Sequence, residues 1–224
     1  MEKIKYIISL SLFLMANCLY AQKVPLNAAK LVASKVHLSD EKWGGKKVLK
    51  VTADTTIKTF DEPTFAKIKD SIFENGVIEV KVLSRLVHNA PDWARGFIGI
   101  AFRIDENNTQ FESFYIRPTN GRVEDQIRRN HSIQYFAFPH YKFDRLRKES
   151  PEKYESYADM GLNEWISIKI VVEGSKASLF LHNNKQPSLM VNDLKLGENN
   201  SGAIGLWVGN WTEGYFKDLK IVKK

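Results

Sequence analysis

Eight side chains stand out as candidates for chemistry: Arg103, Tyr115, Arg117, Glu124, Gln126, His131, Tyr135 and Trp207. Read on alternating strands, Arg103 shares a face with Gly99 and Ala101, and Trp207 shares one with Ala203, Gly205 and Gly209. A sheet face of small residues leaves room for a ligand, and glycine inside a strand often marks close approach of a ligand or a backbone. An aromatic plate beside planar hydrogen-bonding groups suits a sugar, whose C–H face stacks while its hydroxyls are paired. The same small residues would equally accommodate a curved sheet or a loop folded over it, so both readings stand. Arg122 to Arg128 forms a second group. As a strand it places Arg122, Glu124, Gln126 and Arg128 on one polar face, and leaves Asp125 among the core residues Val123 and Ile127. With Tyr115 and Arg117 from a neighbouring strand, and Arg145 and Arg147 folding over from a long loop, that face is an arginine-rich floor. Guanidinium forks pair carboxylate and sulfate groups well; the alternative is an ordinary exposed charged face.

Catalytic chemistry is more thinly represented. Retaining glycosidases need two carboxyl groups close together, one with a raised pKa. Glu112, Glu124 and Asp125 are the carboxylates on these strands, Glu124 is the catalytic candidate, and no Glu-x-Asp-x-x-Glu spacing occurs. Gln126, His131, Arg117 and Tyr135 are residue types that a polysaccharide lyase employs. His37, His88, His131, His140 and His182 show no metal-ligand spacing, so no cofactor is expected; a structural calcium held by carbonyls and carboxylates leaves no signature in sequence.

The elements that must position these groups are strands. Apolar residues alternate along Val77 to Leu83, Phe97 to Asp105, Phe111 to Arg117, Trp165 to Val172, Ala177 to Leu181, Ala203 to Gly209 and Phe216 to Val222. Turn signals such as Asn107-Asn108 and Glu173-Gly174 separate them. Ile98, Ile100, Phe102 and Ile104 are expected on one buried face, packed against Ile166, Ile168, Ile204 and Leu206. Thr64 to Phe73 fits a helical turn or a strand. Phe138 to Asp159 is the one long segment without alternation, and its aromatic residues favour an ordered loop. The pattern implies an all-β, two-sheet antiparallel sandwich in a single domain over residues 22–224.

Residues 1–21 carry the marks of an export signal: Lys3 and Lys5, an apolar run from Ile7 to Ala16, and Leu19-Tyr20-Ala21 before Gln22. The apolar run is short for a membrane span, and Met15-Ala16-Asn17 suits lipidation of Cys18 poorly. A periplasmic or extracellular protein is therefore expected. Cys18 is the one cysteine of the chain, which excludes disulfides and thiolate chemistry after cleavage. The net charge of +7 favours anionic partners. No nucleic-acid motif is present, and oligo- or polysaccharide fits the expected compartment better.

Between Arg95 and Ile221 the chain resembles the 3-keto-disaccharide hydrolase domain family of the concanavalin A-like lectin/glucanase superfamily. The resemblance is carried by Gly96 to Arg103, Glu124-Asp125-Gln126-Ile127, Asn163-Glu164-Trp165, Gly202-Ala-Ile-Gly-Leu-Trp207 and Tyr215 to Ile221. It implies a jelly roll, a sugar-related role, and Arg103, Glu124 and Gln126 as site residues. The expectation drawn from residues and resemblance together leans to glycan binding, with a hydrolase or lyase on the same face as the alternative. One outcome follows from the N-terminus alone. Intact-mass measurement of the exported protein should give a chain beginning at Gln22 with no lipid adduct, and a diacylglyceryl mass on Cys18 would overturn this.

Overall fold

The computed structural model describes residues 22–224, so the expected signal, its cleavage site and Cys18 lie outside the described residues. Its strands are β1 (Gln22–Lys23), β2 (Leu31–Ser34), β3 (Val36–Trp43), β4 (Lys46–Ala53), β5 (Phe65–Ile68), β6 (Gly76–Leu86), β7 (Ile98–Ile104), β8 (Phe111–Ile116), β9 (Ile133–Phe138), β10 (Glu155–Ser156), β11 (Ile166–Glu173), β12 (Lys176–Leu181), β13 (Leu189–Val191), β14 (Ala203–Val208) and β15 (Thr212–Lys223). Two short helices, α1 (Gln126–Asn130) and α2 (Phe143–Glu149), interrupt them. The first sheet runs β13-β12-β11-β6-β15-β4-β3 with β1 added on β15, and the second runs β10-β9-β8-β7-β14-β5-β2. All pairings are antiparallel, giving the expected two-sheet sandwich.

The two sheets differ in how they meet water. In β6 and β11, Ile78, Val80, Val82, Ile166, Ile168 and Ile170 are buried, while Lys81 is exposed and Glu79, Ser167 and Lys169 are partly so. That is the alternation of a sheet with one solvated face. Every residue of β7 and β8 is buried instead, because the second sheet is covered on both sides. Ile98, Ile100, Phe102 and Leu206 pack in the core with Ile166, Ile168 and Ile204, as the periodicity implies. Strands β2 to β4 escaped the sequence reading, although Gly44-Gly45 marks their hairpin: both residues have positive φ (53° and 77°), which a mirror-image two-residue turn requires.

The small residues of β7 and β14 do not leave open space. A Cβ on Gly99 would lie 2.0 Å from the Phe114 carbonyl oxygen and 2.7 Å from Tyr115 Cβ, and one on Gly205 would lie 3.0 Å from the Phe65 ring. Five rings, Phe65, Phe111, Phe136, Tyr115 and Trp207, form a continuous layer there, with neighbouring centroids 4.8–5.7 Å apart. These glycines are small because the backbone of β8 closes on Gly99 and the Phe65 ring on Gly205.

Arg103 departs from the sequence expectation for a local reason. Between Ala101 and Ile104, β7 carries one residue more than β14 does between Gly205 and Ala203, a β-bulge, and Arg103 holds φ +54° within it. The bulge turns Arg103 away from the face of Gly99 and Ala101, and brings Ile104 against Gly205 in its place. The Arg103 guanidinium, fully buried, lies 3.2 Å from the equally buried Glu112. It also donates to the carbonyls of Glu74 (3.0 Å), Gly174 (2.8 Å) and Gly197 (2.9 Å). Tyr135 completes the cluster by donating to Glu112 Oε1 at 2.8 Å. One arginine thus ties three loops to the end of the sandwich.

Breaking such a pair from one side strands a buried charge, at about 3–5 kcal/mol. Arg103→Met should lose stability of that order in urea denaturation, and the Arg103→Met/Glu112→Gln double variant should recover about half of it. Equal losses in the single and double variants would show that the charge pairing is not what Arg103 contributes.

Candidate functional site

Where the aromatic layer ends, loops rise around a cavity of about 250 Å³. Phe60 and Asp61 come from the loop before β5, and Trp93, Arg95 and Phe97 from the loop before β7. Arg117 and Asn120 follow β8, Arg128 and His131 come from α1 and its C-terminal cap, and Phe143 and Arg147 project from α2. Tyr115, Trp207, Gly209 and Asn210 complete the floor and wall.

The rim is aromatic. Trp93 and Phe60 are 41% and 37% exposed, and their rings meet edge to face at 5.3 Å. Below them the lining becomes polar and cationic. Arg117 is fully employed: it donates to the His131 carbonyl (2.8 Å), to Tyr115 Oη (2.8 Å), to Gln134 Oε1 (3.1 Å) and to Glu155 (3.2 Å). Arg147 pairs with the same Glu155 through both carboxylate oxygens, and His131 Nδ1 stands 3.0 Å from it. Burial by itself would raise the Glu155 pKa, but the Arg147 hydrogen bond and the charges of Arg117, Arg147 and His131 outweigh it and hold it low. Burial, reinforced by Arg147 and Arg117 against the pull of Glu155, lowers the His131 pKa.

Asp61 is the unusual acid. It is buried at 3% exposure, holds φ +53°, and accepts from the Phe143 backbone N–H at 2.7 Å. Burial lifts its pKa from 3.8 to about 6, despite the backbone bond and the Arg117 charge. A strained backbone and a perturbed carboxyl in one cavity are marks of a functional site. Among the described residues neither Arg95 nor Arg128 forms an ion pair within 4 Å: Arg95 donates to the carbonyls of Asp92 and Ala94, with only the weaker pull of the Asp92 charge beside it, and Arg128 Nε is unpaired.

The structure brings together four of the eight residues singled out from sequence, Tyr115, Arg117, His131 and Trp207, and separates the rest. Arg103 and Tyr135 sit in the Glu112 cluster inside the sandwich, with no guanidinium surface open to a ligand. Glu124 and Gln126 are exposed, and Gln126 donates to Asn130 along α1. Arg122 to Arg128 is not a strand: Asp125 caps α1, accepting from the Ile127 and Arg128 N–H groups at 2.9 and 3.1 Å, which explains an acid that had no place in a core. Ile127 is accordingly 72% exposed. Trp207 is not an open stacking plate. It is 1% exposed, donates from Nε1 to the Glu62 carbonyl at 2.9 Å, and forms the base of the cavity beside Tyr115. The 138–159 segment, expected as a loop, carries α2 and β10 and contributes a wall of the cavity. Arg147 folds over the site, whereas Arg145 pairs with Glu149 outside it. Asp61, Trp93 and Arg95 were invisible from sequence because they lie on loops without periodicity.

A larger groove of about 420 Å³ crosses the outer face of the first sheet. Two of its four lysines are matched, Lys81 with Asp218 and Lys220 with Glu79 at 3.7 Å each, and its ring, Phe180, is covered by Lys169 at 4.2 Å. It lacks the exposed aromatic rim of the smaller cavity.

No family profile matches the chain, and no curated protein matches its sequence. Among solved structures it is similar to a carbohydrate binding module from Bacillus subtilis, at 12% identity and a TM-score of 0.50, covering 84% of this chain and 96% of that one. It is also similar to a Bacillus subtilis protein with a galectin-like fold, at 10% identity and a TM-score of 0.53, covering 92% and 97% respectively. At these identities the likeness is one of fold: the chain is a concanavalin A/galectin-like jelly-roll β-sandwich.

Proposed function

We propose that this protein is an exported glycan-binding protein, and that the cavity beneath Trp93 and Phe60 is its binding site. The observation that carries the reading is an exposed aromatic pair opening directly onto a polar basin. An exposed ring supplies the stacking surface for a sugar's C–H face, while His131, Asn120 and Asn210 provide hydrogen-bonding groups at its edge. The shared fold with a carbohydrate binding module is consistent with the reading. Export rests on the features of residues 1–21. Among the described residues no helix is long and apolar enough to cross a membrane.

A second reading, in which the basin cleaves what it binds, is favoured by one group. Asp61 is an acid held neutral to about pH 6 by burial, as a general acid for glycoside cleavage must be. Glu124, the carboxylate suggested by the resemblance to 3-keto-disaccharide hydrolases, is exposed outside the cavity. Glu155, the other buried carboxylate nearby, is engaged by two arginines. The absence of a free second carboxylate in the cavity favours binding over hydrolysis.

Two measurements test these readings. Trp93→Ala should reduce affinity for a retained oligosaccharide several-fold to tenfold, a stacking loss of about 0.5–1.5 kcal/mol, with stability unchanged to about 0.5 kcal/mol. Trp207→Ala, by contrast, should cost about 3–5 kcal/mol of stability; undiminished binding by the Trp93 variant would remove the rim from the site. For Asp61, the fold favours the neutral acid, so its contribution is complete below about pH 4 and is lost as the pH rises through about 6. A rise of that size corresponds to about 3 kcal/mol. Asp61→Asn should therefore gain about 2–3 kcal/mol relative to the native protein between about pH 4 and pH 8 in chemical denaturation. Parallel stability profiles would refute the burial argument. Loss of any glycan turnover in this variant, with binding retained, would identify Asp61 as catalytic.

A further inference from the structure

Resting on the glycan reading above, we infer that the ligand carries an acidic group, a uronate carboxylate or a sulfate ester, and that Arg95 and Arg128 receive it. Four guanidinium groups converge on one small cavity. Arg117 and Arg147 are both satisfied by Glu155, which also faces His131. Asp61, the remaining acid of the lining, faces the Phe143 N–H and the Tyr115–Arg117 side, not Arg95 or Arg128. Two cations are therefore left over, and they come from separate elements: Arg95 from the loop before β7 and Arg128 from α1.

Holding like charges together in a partly desolvated cavity is unfavourable without a counter-charge. The repulsion registers on Arg95, whose pKa is lowered first by burial and then by Arg128 and Arg117, against a smaller opposing pull from Asp92. An anionic ligand would relieve it. Guanidinium is also the group best shaped for the purpose, because its planar fork matches a carboxylate or sulfate through paired hydrogen bonds. Arg128 Nε has no partner within the protein. Nor does Asn120 Oδ1, although Asn120 is only 4% exposed and lines the same cavity. A sugar hydroxyl beside the acidic group would fill that acceptor, which an isolated inorganic ion could not do, having no hydroxyl donor on a neighbouring carbon. Trp93 and Phe60 then cover the ring to which the acid is attached.

The test is retention of the full chain's exported form on a panel of immobilised saccharides bearing uronate, sulfate ester or no charge, followed by calorimetry. The calorimetry compares the best uronate ligand with its carboxyl-reduced counterpart, or the best sulfated ligand with its desulfated one. The acidic form is expected to bind about tenfold or more tightly than its neutral counterpart. Arg95→Gln and Arg128→Gln, measured separately because either could disturb local packing, should each cut affinity for the acidic form about tenfold and leave the neutral form unchanged. Preference for the uronate or for the sulfated series identifies the source of the charge. If acidic and neutral forms bind alike, with binding lost in Trp93→Ala but kept in both arginine variants, the acidic inference is overturned and the glycan reading survives. If inorganic sulfate binds through these arginines while the panel retains nothing, the glycan reading itself falls, and this inference with it.

Discussion

In the second sheet, both faces of β7, β8 and β14 are buried, and the layer of rings across its outer side constrains everything built above it. Phe65, Phe111, Phe136, Tyr115 and Trp207 pack beside the strand glycines, mostly edge to face, with Tyr115 and Trp207 tilted at 31° to each other. A sheet with one face against its partner and the other under aromatic rings offers no open bed for a long polymer. The cavity opens where the layer stops, at the end where Trp207 meets Tyr115 and the loops carrying Trp93, Arg95 and Arg117 rise. Aromatic packing therefore locates the cavity, and the loops supply its chemistry.

Charge is then apportioned within that cavity. Glu155, delivered by the two-residue strand β10, stands against Arg117 at the end of β8 and Arg147 on α2. This pairing docks the 138–159 segment onto the sheet and at the same time satisfies two of the four arginines. Arg95 and Arg128 remain, the first held by the Asp92 and Ala94 carbonyls and the second with Nε unpaired. At the far end of the same sandwich, Arg103 and Glu112 form another buried pair, but there every donor is used to hold loops and none faces a cavity. Two arginine clusters of similar composition thus serve different ends, and the presence or absence of unpaired guanidinium groups distinguishes them.

The cost of these arrangements is visible locally. Arg103 and Asp61 both hold positive φ without being glycine, a conformation that surrounding structure must impose. For Arg103 the imposing structure is the bulge and three carbonyls. For Asp61 it is the Phe143 N–H and the loop over which α2 packs. The raised pKa of Asp61 follows from the same confinement, since the ring layer and α2 keep water from its carboxyl.

Periodicity in the sequence was sufficient for the two-sheet sandwich and for the core residues of its most regular strands, because side chains on a regular strand alternate and burial selects their type. Ile98, Ile100, Phe102, Ile166, Ile168 and Leu206 are where that rule puts them. It failed at Arg103 because a single extra residue in a strand reverses the faces beyond it, and no residue type announces the bulge. It failed over Arg122 to Arg128 because five residues of helix are too few to show a period, although Asp125 already carried the mark of a cap. Small residues on β7 and β14 correctly signalled close approach, but sequence does not say what approaches; here it is the protein's own backbone at Gly99 and a ring at Gly205. Tyr115, Arg117, His131 and Trp207 were recognisable as candidates from their types. Asp61, Trp93, Arg95 and Arg147 meet them only because loops distant in sequence fold over one sheet end, and convergence of that kind is decided by tertiary packing.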